Sequence, residues 1–580
     1  MAKVVAVLGG GIAGLTAAHE LIERGFQVHV YEASPSVLGG KAASQSVAGS
    51  ATAGRKDLPG EHGFRFFPSF YRHVIDTMAR IPVDGGMVAD RLRPSEEMAM
   101  AEQGDLFRFA RHPPRNINDL RRLSDVIVEF FRETNVPETD IARFAAVMWR
   151  FMTSCEQRRL VECENVSFWD YVDGASYSPR FQKYIETPRF MVAMDPRFGS
   201  ARTIGTKAVQ ILLDFFVNGT RTDAVLDGPT TERWLEPWHV YLEQRGVKFE
   251  FSSTVTELVL EGRRITAAKV SDKTVQADYY VLAVPLDKVT SLITPQLMAA
   301  DPALRKIPEL AENGTAWMVG VQFYLRRDPK ICKGHVAYPD SPWSLSSVSQ
   351  GQFWSEKIAQ AFGDGSVVDI LSVDVSAWDR IAPRLGRRAW DCTKEEFIEE
   401  VFAQLVEGLG NRLKREDVVR VHVDENVEFG PPGERAKNHT PLLVHPPGSW
   451  WKRPSAELNG IDNLFLASDY VKTNTDLASM EAANEAAKRA VNGILRREGS
   501  APSRDCKIFP MTEEAGPAVA ALREIDRLAF LSDTAGLLRQ VATALDIDEI
   551  VAFTKRVTSL PKSLAALRAI EDRALRVCGY

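Results

Sequence analysis

The chain has 580 residues, 45% of them hydrophobic, which is enough to bury a large core and to form two or more domains. A formal charge of −6 and a sequence pI near 6.0 exclude a generally basic surface, and with no Lys/Arg stripe interleaved with aromatics, nucleic acid is not an expected partner. Six scattered cysteines without a C-x-x-C pair point to free thiols and no metal site, and no apolar run approaches the ~20 residues of a bilayer span.

The first forty residues set the organisation. Ala2 to Leu8 reads as a strand, Gly9-Gly10-Gly11-Ile12-Ala13-Gly14 as a tight turn entering a helix, and Val28 to Glu32 as a second strand ending in a carboxylate. In such a unit the first glycine allows the turn, Gly11 lets backbone N–H groups approach a pyrophosphate, and Gly14 lets the helix pack on the sheet. Glu32 and Ala33 then fall where a ribose hydroxyl is met, 18 residues beyond Gly14 for the acid. The motif implies a bound dinucleotide and does not separate NAD from FAD. No basic leader precedes it, so a cytoplasmic location is expected, with peripheral membrane contact open.

Next, Gly39-Gly40-Lys41 places a second glycine pair and a cation where the chain can pass the same pyrophosphate again. It is followed by Gly60-Glu61-His62-Gly63-Phe64-Arg65-Phe66-Phe67, an aromatic stretch around one Arg that suits a flat ring system.

At this point the chain resembles the FAD-dependent phytoene desaturase and amine oxidase superfamily, most nearly the plant and cyanobacterial type of carotene desaturase. In that family Gly-Gly-Lys is followed by Glu-x-Gly-Leu-His-Ile-Phe-Phe, and Glu61, Gly63, Phe66 and Phe67 fit the register, with Arg65 where the family has His. The resemblance carries Gly63, Phe64, Arg65 and Phe66 over as flavin-side positions. It continues at Val255, whose backbone would bond the adenine, at Ala283 and Pro285, and at Asn463 to Ala483, where Asp469 and Met480 match flavin contacts and Ser468 and Ala482 replace family glycines.

Between these segments, residues 76–228 read as amphipathic helices, with stripes such as Phe144, Val147, Met148, Phe151 and Val209, Leu212, Leu213, Phe216. These stripes suit a core, and the Phe, Met and Trp among them also suit a pocket for a long apolar molecule. Arg264–Val270 and Ala277–Pro285 read as a hairpin region, Met318–Arg326 as a strand and Lys394–Leu409 as a helix. Residues 499–580 form an added tail with helical stripes, Leu522, Ile525, Leu528 first among them. Packing on the body, self-association into a homo-oligomer and a membrane or acyl-carrier surface are its open readings.

The expected fold is α/β. A discontinuous Rossmann-like FAD-binding domain (1–75, 229–300, 455–498) is joined to a discontinuous substrate domain of helices and mixed sheet (76–228, 301–454) and the helical extension. One glycine motif with no second fits FAD alone, so electrons would leave to oxygen, a quinone or a redox partner. The resemblance implies hydride removal from a lipophilic, isoprenoid or polyene substrate. A flavin amine oxidase, or an isomerase or dehydroxylase without net oxidation, stands as the alternative. Arg65, to stabilise charge on the reduced ring, with Glu61 and His62 as titratable neighbours, are the candidate catalytic residues.

Overall fold

The computed structural model describes residues 2–110, 135–190, 192–216, 223–511 and 516–532. Two sheets organise it. The first is a five-stranded, all-parallel sheet of β1 (Val4–Leu8), β2 (Gln27–Tyr31), β3 (Lys248–Glu250), β4 (Tyr279–Leu282) and β5 (Leu464–Leu466), in the order β3-β2-β1-β4-β5. Strands β1, β4 and β5 are almost wholly buried runs of Val, Leu, Phe and Tyr, as a sheet covered on both faces requires.

The longest helices among the described residues are α1 (Ile12–Glu23), α2 (Glu138–Thr153), α3 (Ala201–Phe216), α4 (Lys394–Leu409), α5 (Met480–Arg497) and α6 (Gly516–Ser532). Helices α1 and α5 pack side by side, and Asn484 Nδ2 donates to Thr16 Oγ1 at 2.8 Å. Buried Glu481 accepts the backbone N–H groups of Arg72, His73 and Val74, so α5 also fixes the helix just after the aromatic stretch.

The second sheet has seven strands, in the order 105–110, 97–102, 334–337, 345–349, 369–375, 319–325, 418–423. One face packs on α4: Val321, Phe323, Leu371, Val373, Ala99 and Ala101 share a core with Phe397, Val401 and Leu405. Thr393 caps α4, its hydroxyl accepting the Glu396 N–H while the Glu396 carboxylate accepts its own N–H. The opposite face meets the segment that carries Glu61 to Phe66: Gly320 N–H donates to His62 O at 2.7 Å, and Tyr324 Oη donates to Pro59 O at 2.8 Å.

Two local expectations are corrected. Arg264–Val270 pairs with Val255–Glu261 and Lys273–Val275, whereas Tyr279–Leu282 leaves that meander to become β4 beside β1, so the two do not form one hairpin. In α6 the apolar stripe is not the docking face, since Leu522 and Ile525 are each 38% exposed. The helix is held to the end of α2 and the short helix after it by Asp526, which accepts from Cys155 N at 2.7 Å and Arg158 Nε at 2.9 Å, by Arg523 donating to Met152 O, and by buried Phe530. The tail's later stripes lie outside the described residues. Five cysteines, Cys155, Cys163, Cys332, Cys392 and Cys506, are free and buried.

Candidate functional site

The carboxyl edge of the parallel sheet gathers the motif residues. Glu32 follows β2, Gly9 to Gly11 follow β1, Ala283 and Pro285 follow β4, and Ser468 and Asp469 follow β5. In open α/β sheets this edge is where ligands bind. Each glycine has a distinct reason to be there. Gly9 has φ +112°, and a Cβ on it would meet Ala283 O at 2.6 Å; a Cβ on Gly14 would sit 1.9 Å from Gly9 O. By contrast, a Cβ on Gly11 would find no atom within 4 Å. That glycine leaves backbone open rather than relieving a contact.

The second glycine turn closes on the first. Gly39 N–H donates to Gly10 O at 2.8 Å, and a Cβ on Gly40 would lie 3.4 Å from Gly11 Cα. Lys41 is tied to Pro441 O, its ammonium held below the usual lysine range by burial against the pull of Asp469 and Asp287. Glu32 has a task the motif did not reveal: its two oxygens accept Gly10 N–H and Ser34 N–H, each at 2.7 Å. Its remaining lone pairs stay available to a sugar hydroxyl. Val255 begins a strand just beyond Ser253, whose N–H donates to Glu32 O, so it stands beside the acid. At the far end, Ser479 caps α5 and accepts the Ala482 N–H at 3.2 Å, so Ala482 spends its donor on the cap. Met480 and Glu481 N–H head the helix, where the dipole favours negative charge.

This cradle fits an extended FAD: open backbone at Gly11, two touching glycine turns, an acid at the second strand and a helix N-terminus at the other end.

Around the aromatic stretch, Arg65 Nη2 donates to Lys41 O at 2.6 Å and lies 3.8 Å from Glu61 Oε2. Its charge therefore serves the glycine turn and two carboxylates, Glu61 and Asp374, before it serves any ring. Burial raises the Glu61 carboxyl above its usual range, against the pull of Arg65. Asp374, missed by sequence reading, is 2% exposed, and burial pushes its carboxyl up to about 8. A Cβ on Gly63 would stand 2.6 Å from Asp374 Oδ1, so that glycine makes room for the acid. His62 Nδ1 is bonded to Asp424, another residue without local sequence signal, and its Nε2 is buried with no hydrogen-bond partner. Phe64 and Phe66 each have ring centroids 5.5 Å from His335.

Burial of Asp374 sets the sign of a pH effect. Its folded-state pKa lies above the unfolded value of 3.8, so between those values the folded state holds the extra proton and stability falls as pH rises. An Asp374→Asn variant is expected to lose less thermal stability than wild type between pH 5 and pH 8, by up to ~1.4 kcal/mol for each unit of pH crossed. Thermal unfolding at the two pH values checks this, and equal slopes would refute it.

A second buried network joins the helical layer to the cofactor edge. Asp476, at φ +45°, accepts from Arg202 Nη1 at 2.8 Å and Thr203 Oγ1 at 2.7 Å, both on α3, and also pairs with Arg453. Lys207, on the same helix, is fully buried without a hydrogen-bond partner, its Nζ 5.8 Å from the Phe70 ring, and burial lowers it to about 8.

Comparison with known proteins agrees with this geometry. Residues 209–495 match the family model for flavin containing amine oxidoreductases, and residues 7–81 match an NAD(P)-binding Rossmann-like domain. Among curated relatives, the zeta-carotene desaturase of Synechocystis sp. is 25% identical over 313 residues, covering 50% of this chain and 59% of the relative. The carotenoid phi-ring synthase of Chlorobaculum tepidum is 44% identical over 70 residues, covering 12% of this chain and 10% of the relative. The chain thus spans less than two thirds of either relative's length.

Solved structures share the fold. Cyclohexylamine oxidase from Brevibacterium oxydans superposes with TM-score 0.55 at 12% identity, covering 86% of this chain and 100% of that one. An oxidoreductase from Methanosarcina mazei does so with TM-score 0.55 at 12% identity, covering 83% and 98%. A putrescine oxidase bound to putrescine gives TM-score 0.54 at 14% identity, covering 86% and 99%. Residues 209–495 are thus similar to flavin containing amine oxidoreductases, and the cofactor is FAD.

Proposed function

We propose that the chain removes hydride from a lipophilic substrate of isoprenoid or polyene class, as a desaturase or dehydrogenase. The observation that carries this reading is a row of side chains across the site-facing side of the seven-stranded sheet. Strand register aligns Gln322, Ser372, Val348, His335, Met98 and Phe109 in that order. Beyond the first two positions the row is apolar except for His335, with Val348 packed against Phe64, Val225 and Phe353, and the neighbouring row ends in Ala337, Met100 and Phe107. Such a shelf suits a long apolar molecule laid beside the Gly63–Phe66 segment.

Bound FAD would supply the hydride acceptor; the proton lost with the hydride passes to a nearby carboxylate or to water at the edge of the site. The chain's own part is to align the substrate along the shelf, to keep water out with Phe64 and Phe66, and to hold the glycine turn through Arg65. Glu61 and His62 need perform no acid–base step in this scheme. Proximity of the curated carotene desaturase relative supports the reading. An ammonium substrate would gain from Glu61 but face the Arg65 guanidinium 3.8 Å from that carboxylate, which disfavours the amine oxidase alternative.

The electron acceptor is proposed to be oxygen, a quinone or a redox protein. A cytoplasmic location with peripheral membrane contact open is part of this proposal. Among the described residues no helix is long and apolar enough to cross a membrane. Anaerobic mixing of the holoprotein with isoprenoid polyenes is expected to bleach the flavin and give a product lighter by two hydrogens. Product of unchanged mass would make it an isomerase, and full flavin binding with no reduction by any apolar alkene would sink the proposal.

A further inference from the structure

The polar end of the sheet row closes a small pocket that a hydrocarbon leaves unused. Glu61, Arg65, Thr230, Gln322, Trp354 and Ser372 line it, and it has room for about one water-sized group. Most of its polar atoms already have partners. Gln322 Nε2 donates to Glu61 O at 3.1 Å and to Ser372 Oγ at 3.2 Å, Glu61 Oε1 accepts from Ser44 Oγ at 2.8 Å and Thr230 N at 3.0 Å, and Arg65 serves Lys41 O. Two atoms on lining residues are buried without a hydrogen-bond partner: Glu61 Oε2, an acceptor, and Trp354 Nε1–H, a donor.

A group in the pocket that served both atoms would have to donate to one and accept from the other. An ammonium has no lone pair for the indole N–H and would stand beside Arg65. A carboxylate would pair with Arg65 but confront Glu61. A hydroxyl is neutral, donates once, accepts as well, and is the size of the space. We infer that the pocket binds a hydroxyl on the substrate, donating to Glu61 Oε2 and accepting from Trp354 Nε1, so that the substrate is an isoprenoid-type alcohol with its chain along the apolar shelf.

This inference rests on the lipophilic-substrate reading, and the experiment separates the two. The holoenzyme is titrated with a diterpenoid alcohol, its methyl ether and the parent hydrocarbon, following the flavin absorbance. The alcohol is expected to bind about tenfold or more tighter than the other two, because the ether lacks the donor and adds a methyl the pocket has no room for. Trp354→Phe should reduce that preference to within about threefold while leaving the hydrocarbon's affinity unchanged. Equal binding of the three ligands overturns the hydroxyl site and leaves the shelf standing, and so does a preference that survives Trp354→Phe. No binding by any of them overturns the lipophilic reading, and this inference with it. The three-ligand comparison needs no variant, so a Trp354→Phe protein that failed to fold would not remove the test.

Discussion

Gly11→Ala is expected to fold with the stability of wild type and to bind FAD at least tenfold more weakly, while Gly14→Ala loses stability before any cofactor is added. The contrast arises from where each new methyl would go. Gly11 has φ −72°, which alanine adopts freely, and its Cβ would meet nothing within 4 Å; it would fill only the space through which a pyrophosphate approaches the backbone. At Gly14 the methyl would stand 1.9 Å from the backbone oxygen of Gly9, which cannot yield without moving β1 or α1. Overpacking of that kind costs about 3 kcal/mol or more. Denaturant unfolding of the apoprotein and FAD titration of the refolded chain separate the two effects. Equal loss of stability in both variants would show that Gly11 is there for packing.

Asp476→Ala is expected to cost about 3–5 kcal/mol of stability, the largest single-residue effect we anticipate. Burial alone would raise this carboxyl, but Arg202 and Arg453 outweigh it and hold the group far below the usual carboxylate range. Removing it strands two buried guanidinium groups, with Glu164 left as the acid 3.5 Å from Arg202. The sign of the pH dependence is fixed by the lowered folded-state pKa: the stabilisation is present above the unfolded value of 3.8 and is lost as the solution is acidified below it. Asp476→Asn should therefore unfold less steeply on acidification than wild type. Denaturant midpoints between pH 3 and pH 7 measure both claims, and an Asp476→Ala loss under 1 kcal/mol would contradict the network's role.

The cofactor cradle was legible in the sequence because its parts obey local rules. Gly9 to Gly14, Glu32, Gly39 to Lys41 and Ser479 to Ala482 each signal through spacing within a few residues of a strand or helix end, and the structure brings them to one edge. The residues that escaped notice act across long separations. Asp374 faces Gly63 and Asp424 holds His62, and neither stands in a motif or on an amphipathic stripe; Asp476 lies inside the Asn463–Ala483 segment, but its bridge from Arg202 to Arg453 has no local signal there. A buried carboxylate reads in sequence like any surface acid. Even Glu32 was understood only in part, since its bond to Gly10 N–H exists only once the turn has formed. For α6, periodicity points to Leu522 and Ile525, while the contacts are made by Asp526, which accepts from Cys155 N, by Arg523, which donates to Met152 O, and by buried Phe530.

The parallel sheet has a consequence for how the molecule is made. Its edge strand β5 and helix α5 come from late in the chain, and Thr16 and Asn484, hydrogen-bonded in the core, are 468 positions apart. During synthesis the glycine turn emerges early, but the helix that completes the cradle has not yet left the ribosome. The N-terminal β1-α1-β2 unit must wait with its apolar faces uncovered, and closure of so distant a contact is slow. Cofactor capture is thus a closing event of folding, and a chain truncated before α5 would be an aggregation-prone species rather than a weakened flavoprotein.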